Sequence, residues 1–382
     1  MTYILFDPPE ADLLYPLAAT DAVATIRWGI FSFKEWWEHL LGEEIVLKKR
    51  AFLHADGHQN FDGICTYIRA NWMPEPEHAD MVCNLQPGEG LRIGETLLAY
   101  CIEGDFQIES ISMTLCNDLK TARILLRPWQ TFQLNDAVLR MQFQWVKQEM
   151  VSAELPEHVT LIGTPDQIHI CPGAVIEHAI INVEKGPVYI GANAEIWEGA
   201  CIRGPFALGE HSVVKMRTVV YGATTTGPWC SLGGEVKNAI LQGYSNKAHD
   251  GYLGDSYVGE WCNFGAGTSN SNLKNTAGLI HMWVNALHKY EPVGNKCGVL
   301  MGNYSRTAIN TSINTGSVIG ISAHAFGQGL TPKYFPDFSW GTQGEKYQLE
   351  KAMSDIQNWK QLKNQSLTEH EKNILNYLYQ NL

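Results

Sequence analysis

Five residues between positions 237 and 272 combine types that could transfer an acyl group to an amine. His249 has the side chain whose pKa lies closest to 7, so it could remove a proton from an ammonium group and free the amine to attack a thioester. An amide such as Asn272 could donate to the oxyanion that forms. Lys237 could hold a phosphate by charge-assisted hydrogen bonds. Tyr252 and Asn263 complete the set. Taken alone, His249 is more typical of a surface or corner residue, and the clustered spacing is what favours a site.

A second group of polar residues is a weaker candidate. His54 and His58 flank Asp56, and on a helix two imidazoles four residues apart could share a metal. Gly57 argues against a helix there, so the sequence predicts a solvated loop and no metal site.

The composition predicts a soluble globular protein. The 382 residues include 28 basic and 40 acidic side chains, and a net charge of -12 disfavours binding to nucleic acid. No stretch approaches the roughly 18 apolar residues of a membrane span, and the N-terminus lacks a basic region before its short apolar run. The nine cysteines are scattered and never spaced as C-x-x-C, which predicts free thiols. We therefore expect a cytoplasmic protein with neither nucleic acid nor membrane as a partner.

A period of six residues runs through the middle of the chain. Apolar residues recur at every sixth position from Ile190 to Val220, and the register returns at Val258 and Phe264 and again from Met301 to Ala325. This period fits neither an α-helix nor a simple strand alternation. It predicts a parallel β-helix in which three short sides make a coil of about 18 residues, whereas a sandwich of short strands would match the spacing only by chance.

Three regions follow from this reading. Residues 1–155 alternate apolar runs with turn signals and predict an α/β domain. Residues 156–341 hold the repeat. Residues 342–382 contain two short amphipathic helices, which we expect to cap the last coil or to pack on a neighbouring subunit.

Two local patterns refine these regions. Ser32 and Glu35 have the spacing of a capping box before an apolar stripe that ends at Gly42, which predicts a helix. The six-residue register fails between residues 271 and 299, which predicts a loop that leaves one coil, with His281 and His288 as loop or interface residues.

Three stretches of the repeat resemble a known enzyme family. They are residues 235–238, 245–255 and 263–268, which read EVKN, SNKAHDGYLGD and NFGAGT. They are similar to the acetyltransferase half of the bifunctional glucosamine-1-phosphate acetyltransferase and N-acetylglucosamine-1-phosphate uridyltransferase enzymes. Over its full length the chain looks closer to a divergent branch of sugar nucleotidyltransferases. The resemblance implies a left-handed parallel β-helix, a homotrimer with active sites between neighbouring prisms, and acetyl-CoA as co-substrate.

The resemblance also implies roles for individual residues. His249 matches the family's catalytic base, and Tyr252 matches a tyrosine of the sugar site. Lys237 matches a lysine that meets the sugar phosphate. Asn263 and Asn272 match asparagines of the sugar and acetyl-transfer site.

The chain departs from the family pattern in two places. The family's phosphate-binding arginine falls near Val219, where Arg217 is an approximate substitute. Nucleotidyltransferases of this kind carry a glycine-rich loop after the first strand, but residues 6–17 contain no glycine that could cradle a triphosphate. UTP and Mg²⁺ are therefore expected as ligands only if the N-terminal domain is active.

The sequence favours an acetyl-CoA-dependent N-acetyltransferase that acts on an amino-sugar 1-phosphate, with glucosamine 1-phosphate as the first acceptor to test. Two alternatives remain open. One is a sugar-1-phosphate nucleotidyltransferase whose prism only assembles the oligomer, and the other is a trimeric sugar-phosphate binding protein without turnover.

Overall fold

The computed structural model describes residues 1–53, 61–105 and 116–381. Over these residues an α/β domain is followed by a left-handed β-helix of about 10 turns, residues 160–340, and by a short helical tail. The fold class predicted from the sequence is therefore confirmed. The left-handed coil departs from the right-handed rule for parallel crossovers, as this class of solenoid does.

The N-terminal domain is built on a six-stranded sheet. Its elements are β1 Thr2–Phe6, α1 Phe33–Leu41, β2 Val46–Lys48, β3 Ile64–Arg69, β4 Trp72–Met73, α2 Pro76–Cys83, β5 Gly90–Ile93, β6 Thr96–Glu103, β7 Cys116–Asp118, β8 Arg123–Ile124 and α3 Gln130–Glu149. The strand order in the sheet is β2-β1-β3-β6-β5-β7. Strands β2, β1 and β3 are parallel, whereas β6 is antiparallel to both β3 and β5. Strands β4 and β8 form a separate antiparallel pair.

The start and the end of α1 are those that the sequence predicts. The Ser32 hydroxyl accepts from the Glu35 backbone N–H at 3.2 Å, and the Glu35 carboxylate accepts from the Ser32 N–H at 2.6 Å. Gly42 ends the helix in the left-handed conformation, with φ of 68°.

The solenoid has three flat sides, which we call faces A, B and C. Two long strands, Glu235–Gly243 and Tyr252–Glu260, turn the corner from face A to face B. The other strands of face A are Thr160–Ile162, Ile180–Asn182, Cys201–Arg203, Val219–Tyr221, Ser269–Asn270 and Ser312–Ile313. Those of face B are Ile168–Ile170, Val188–Ile190, Phe206–Leu208, Thr224–Thr226, Val299–Met301, Ser317–Ile319 and Tyr334–Phe335. Those of face C are Val175–Ile176, Glu195–Ile196, Val213–Val214, Ser231–Leu232, Asn246–Lys247, Arg306–Thr307, His324–Ala325 and Ser339–Trp340, the last of which also pairs with Glu345–Lys346.

The six-residue period marks the residues that fill the prism. Ile190 pairs with Leu208 and Ile196 pairs with Val214, each 18 residues further on, as the sequence predicts. All the residues of the predicted register are buried. Their burial supplies the hydrophobic free energy that holds the coils together.

Face B carries the N-terminal domain. Helix α3 packs on it, and the outward residues Ile240 and Tyr257 belong to the same apolar core as Trp28. The Asn135 amide donates to the carbonyl oxygen of Ala223 at 2.8 Å. The two parts therefore share one continuous core.

The tail packs on the last coil of the solenoid, as expected, where the ring centres of Phe338 and Tyr379 lie 5.1 Å apart. Helices α4 (Leu349–Gln361) and α5 (Glu369–Gln380) also extend beyond that coil, along the corner between faces B and C. The Lys360 ammonium lies 5.3 Å from the centre of the Trp261 ring, and the Tyr304 hydroxyl donates to Glu371 at 3.1 Å. Large rings at this corner give the tail a longer apolar surface than the last coil alone.

The segment between residues 271 and 299 is a β-hairpin and not a free loop. Strands Ile280–Val284 and Lys289–Gly294 are antiparallel. Its buried side, which includes Met282, joins the core of the N-terminal domain, and Glu291 pairs with Arg127 at 2.8 Å. We call this segment the insertion hairpin.

No helix in the described part of the chain is long and apolar enough to cross a membrane.

Candidate active site

The predicted catalytic histidine lies at the corner between faces C and A. His249 follows the face C strand Asn246–Lys247, and its side chain is exposed. It lines an open cavity of about 470 Å³ together with Gly233 and Ala248. A side chain at Gly233 would collide with the backbone of Ala248, so this position needs a glycine because the two coils approach closely there.

Lys215 contributes to the lining of this cavity, whereas Arg217 does not. Lys215 lines it, and its ammonium group lies 4.0 Å from the centre of the Trp197 ring. Arg217 is on the same corner, but its side chain lies over Gly199 of the preceding coil. Lys215 offers a cation to an anionic ligand such as a phosphate, and Asp250 places a carboxylate in the same lining.

A buried lysine holds the backbone of this corner. Lys247 is 1% exposed and occupies a position of the inward row, where it pairs with Leu232 of the preceding coil. Its ammonium group donates to the carbonyl oxygens of His249 at 2.6 Å and Gly233 at 3.3 Å. Burial lowers the pKa of Lys247 to about 8.

A hydrogen-bonded cluster on face A joins two predicted site residues, Tyr252 and Asn272, to the neighbouring Asp255. The Asn272 amide nitrogen donates to the Tyr252 hydroxyl at 3.0 Å and to the Asp255 carboxylate at 2.5 Å. Asp255 is buried and also accepts from the Asn238 amide at 2.6 Å. Burial, with Asp255 as the next cause, raises the pKa of Tyr252 to about 12, so its hydroxyl keeps its proton and can donate it.

Lys237 borders the same cluster. It is half-buried on face A, where its strand neighbours are Tyr221 and Gly254. The Tyr252 phenol lies over Gly254, in the space that a side chain there would fill. The structure thus brings Lys237, Tyr252 and Asn272 to one patch of face A.

Asn263 is separated from this patch. It lies on face C, between Asn246 and Arg306 of the neighbouring coils. In one prism, Tyr252 lies on face A and Asn263 on face C, so the two residues do not share a face.

Sequence reasoning missed three residues of this region, namely Lys215, Lys247 and Asp255. Lys247 is 15 residues after its partner Leu232, so the coil is shorter than 18 residues and the six-residue register does not reach it. Residues 245–255, which resemble the enzyme family, include both Lys247 and Asp255. The resemblance could therefore have indicated these two residues. Nothing in the sequence indicates that Lys215 lies near His249.

The N-terminal domain presents a second group of charges where its parallel strands end. Arg50, after β2, pairs with Asp7 at 3.3 Å and with Asp12 at 2.7 Å. Arg69, at the end of β3, pairs with Glu10. Burial raises the pKa of Asp7, and the Arg50 charge opposes that shift. The arginines at this edge are therefore already neutralised by carboxylates of the chain.

Metal ligands do not cluster in the described ranges. Across residues 1–53, 61–105 and 116–381, no three His, Cys, Asp or Glu side chains are placed to hold an ion. His54, Asp56 and His58 lie outside the described residues. All nine cysteines are free, as predicted.

The fold and this site define a two-part chain, an α/β domain joined to a left-handed β-helix with polar residues at one corner and one face. Residues 3–151 match the model of a protein family described as sugar nucleotidyl transferase. That match covers less than half of the chain and lies in the α/β domain. It supports the general family resemblance read from the sequence, whereas the divergent branch stays a prediction. No curated protein matches the sequence.

Proposed function

We propose that this chain is an acyltransferase that transfers the acetyl group of acetyl-CoA to the amine of an amino-sugar 1-phosphate. The observation that carries the proposal is the placement of an exposed histidine in an open corner cavity, with Lys215 beside it and the Lys237–Tyr252–Asn272 patch on the adjoining face. A general base, two cations and a protonated phenol are the groups that this reaction requires.

Each residue has a stated role in the proposal. His249 removes the proton from the ammonium group of the sugar, and the free amine attacks the thioester carbonyl. The C–S bond of the intermediate then breaks, and the CoA thiolate leaves with the proton that the new amide nitrogen gives up. Lys215 and Lys237 hold the phosphate. Both hydrogens of the Asn272 amide are engaged by Tyr252 and Asp255, so Asn272 orients the Tyr252 hydroxyl, whose own hydrogen is the free donor for the oxyanion or for a sugar hydroxyl. Arg217, directed to the preceding coil, has no part in this arrangement.

A homotrimer is part of the proposal. Face B is covered by the N-terminal domain, whereas face A exposes apolar side chains, including Ile180 at 42% and Tyr221 at 40%. Exposed apolar side chains on a flat sheet are typical of a surface that packs against another chain. A neighbouring prism on face A would border Lys237 and Tyr252 and could supply Asn263. Light scattering on the full chain should give three times the chain mass.

The test is the release of free CoA from acetyl-CoA in the presence of glucosamine 1-phosphate. The wild type should turn over, and His249→Ala should lower turnover by about 10² to 10⁴, as loss of a general base does. His178→Ala is the matched control, because His178 is exposed at the corner between faces C and A of an earlier coil and does not line this cavity. It should change turnover by less than about threefold. Equal turnover of His249→Ala and wild type would remove His249 from the mechanism. No turnover by a folded wild type that still binds the sugar phosphate would favour a protein that only binds.

A sugar nucleotidyl transfer in the N-terminal domain is the second candidate, and the family match over residues 3–151 favours it. The ion pairs at the strand ends oppose it, because Arg50 and Arg69 are already engaged. Asp7 also accepts from the Val23 N–H and from Arg50, so a Mg²⁺ ion at this carboxylate would have to compete with the arginine. Release of pyrophosphate from UTP, with a sugar 1-phosphate and Mg²⁺ supplied, would select this candidate over the first.

A further inference from the structure

A larger cavity lies where five parts of the chain meet. Its volume is about 840 Å³, within the range of roughly 300 to 1,000 Å³ that small-molecule sites occupy. Its walls come from the loop after β1, the segment after β2, the insertion hairpin, the last coil of the solenoid and the end of α5. It shares no lining residue with the cavity at His249.

The floor of this cavity holds a carboxylate without a cationic partner. One oxygen of Asp337 accepts from the Tyr15 hydroxyl at 2.5 Å and from the Ile321 N–H at 2.6 Å. Both of these donors are neutral. Among the residues that the structure describes, no lysine, arginine or histidine forms an ion pair with Asp337.

The cations that line the cavity are engaged elsewhere. Arg50 is paired with Asp7 and Asp12. The Lys346 ammonium lies 3.9 Å from the centre of the Tyr379 ring and donates to the carbonyl oxygen of the same residue. Among the described residues, Lys346 has no carboxylate partner, but neither Asp337 nor Glu345, which also lines the cavity, has a cationic one. Two unpaired carboxylates against one unpaired ammonium leave the lining negative, and a negative lining favours a cationic ligand.

Two pairs of aromatic rings line the cavity. Trp283 packs against Tyr334 with ring centres 5.3 Å apart, and Phe52, which also lies 5.1 Å from the Arg50 guanidinium, stacks on Tyr377 at 4.8 Å. Aromatic faces around a carboxylate are suited to an ammonium group, because the ring faces and the carboxylate both attract its positive charge. Hydrogen-bonding side chains complete the lining, and they are Asn285, Ser339 and Asn381.

We propose that this cavity binds a small organic ammonium ion that carries hydroxyl groups, the chemical class of the amino sugars. The ammonium group pairs with Asp337, the carbon skeleton lies against the aromatic walls, and the hydroxyl groups bond to the amides and to Ser339. The site is additional to the proposed acyl-transfer corner and does not depend on it.

Calorimetric titration of the full chain with glucosamine and with N-acetylglucosamine tests the charge requirement. The two sugars differ in the ammonium group, which acetylation removes. Glucosamine should bind at least tenfold more tightly than N-acetylglucosamine. Equal affinities would overturn the proposal, and this comparison uses only the wild type.

Two variants then locate the binding. Asp337→Asn should weaken glucosamine binding at least tenfold. Asp355→Asn is the matched control, since Asp355 also accepts from a tyrosine hydroxyl, that of Tyr347 at 2.6 Å, but lies outside the cavity. It should leave the affinity within twofold. Unchanged affinity in Asp337→Asn, or an equal loss of affinity in Asp355→Asn, would overturn the proposal.

Discussion

The ammonium group of Lys247 donates a 2.6 Å hydrogen bond to the carbonyl oxygen of His249, from inside the solenoid. A lysine in a row of apolar residues costs free energy through desolvation. The two carbonyl oxygens that it binds belong to the corner that carries the proposed base. The arrangement fixes the backbone on which the His249 side chain is mounted.

The buried Lys247 should give the protein a distinct pH dependence of stability. Its pKa is about 8 in the folded chain and about 10.4 in an unfolded one, so the folded state binds fewer protons between these values. The free energy of unfolding should therefore rise with pH over this window, by about 1 to 2 kcal/mol from this group. Lys247→Met should lack that rise, and urea unfolding at pH 7 and pH 10 would measure the difference.

Lys237→Met is the control for Lys247→Met, because Lys237 lies on the outer surface of face A. It should keep the pH dependence of the wild type. Parallel stability profiles for the wild type and Lys247→Met would show that Lys247 is not desolvated as described.

Asp255 should be required for the order of the face A cluster. Asp255→Asn replaces a carboxylate that accepts from two amides with a group that can accept at only one atom. We expect a loss of about 1 to 3 kcal/mol in the free energy of unfolding, measured by urea titration. Asp250→Asn removes an exposed charge nearby and should stay within about 0.5 kcal/mol. Equal effects of the two variants would contradict a structural role for Asp255.

Close contact between coils should make some glycines irreplaceable. A side chain on Gly209 would collide with the backbone of Gly227 in the next coil, which cannot move without breaking the strand pairing. Gly209→Ala should therefore destabilise the fold by about 2 kcal/mol or more. Gly243 is the matched control, since a methyl group there would lie 3.5 Å from its nearest neighbour, an ordinary contact. Thermal unfolding of both variants tests the coil geometry, and similar melting temperatures would argue against it.

Asp337 should reduce stability at neutral pH. Burial raises its pKa to about 6, so the folded state holds this proton more tightly than the unfolded state does. Its unfavourable contribution is fully present above pH 6 and disappears as the pH falls towards 4. Asp337→Asn should then be more stable than the wild type at pH 7, by about 1 to 2 kcal/mol, and this advantage should shrink at pH 4. Guanidinium unfolding at both pH values provides the measurement, and an advantage that does not change with pH would refute this assignment.

The sequence by itself determined the elements whose signals are local or periodic. The capping box of Ser32 and Glu35 sets the start of α1 through atoms three residues apart. The six-residue period from Ile190 to Val220 determines the solenoid. Each side of a coil buries one aliphatic side chain inside the prism, so the sequence must place an apolar residue at every sixth position. Short-range hydrogen bonds and burial at fixed intervals can be read from a chain without its three-dimensional structure.

Only the tertiary structure decided which polar residues come together. Coils of unequal length placed Lys247 inside the prism and put Asn263 on a different face from Tyr252. The insertion hairpin packs on the N-terminal domain, and five segments far apart in sequence form the cavity around Asp337. These outcomes depend on contacts between residues far apart in sequence, whose geometry follows from the summed packing of the whole chain and leaves no local pattern.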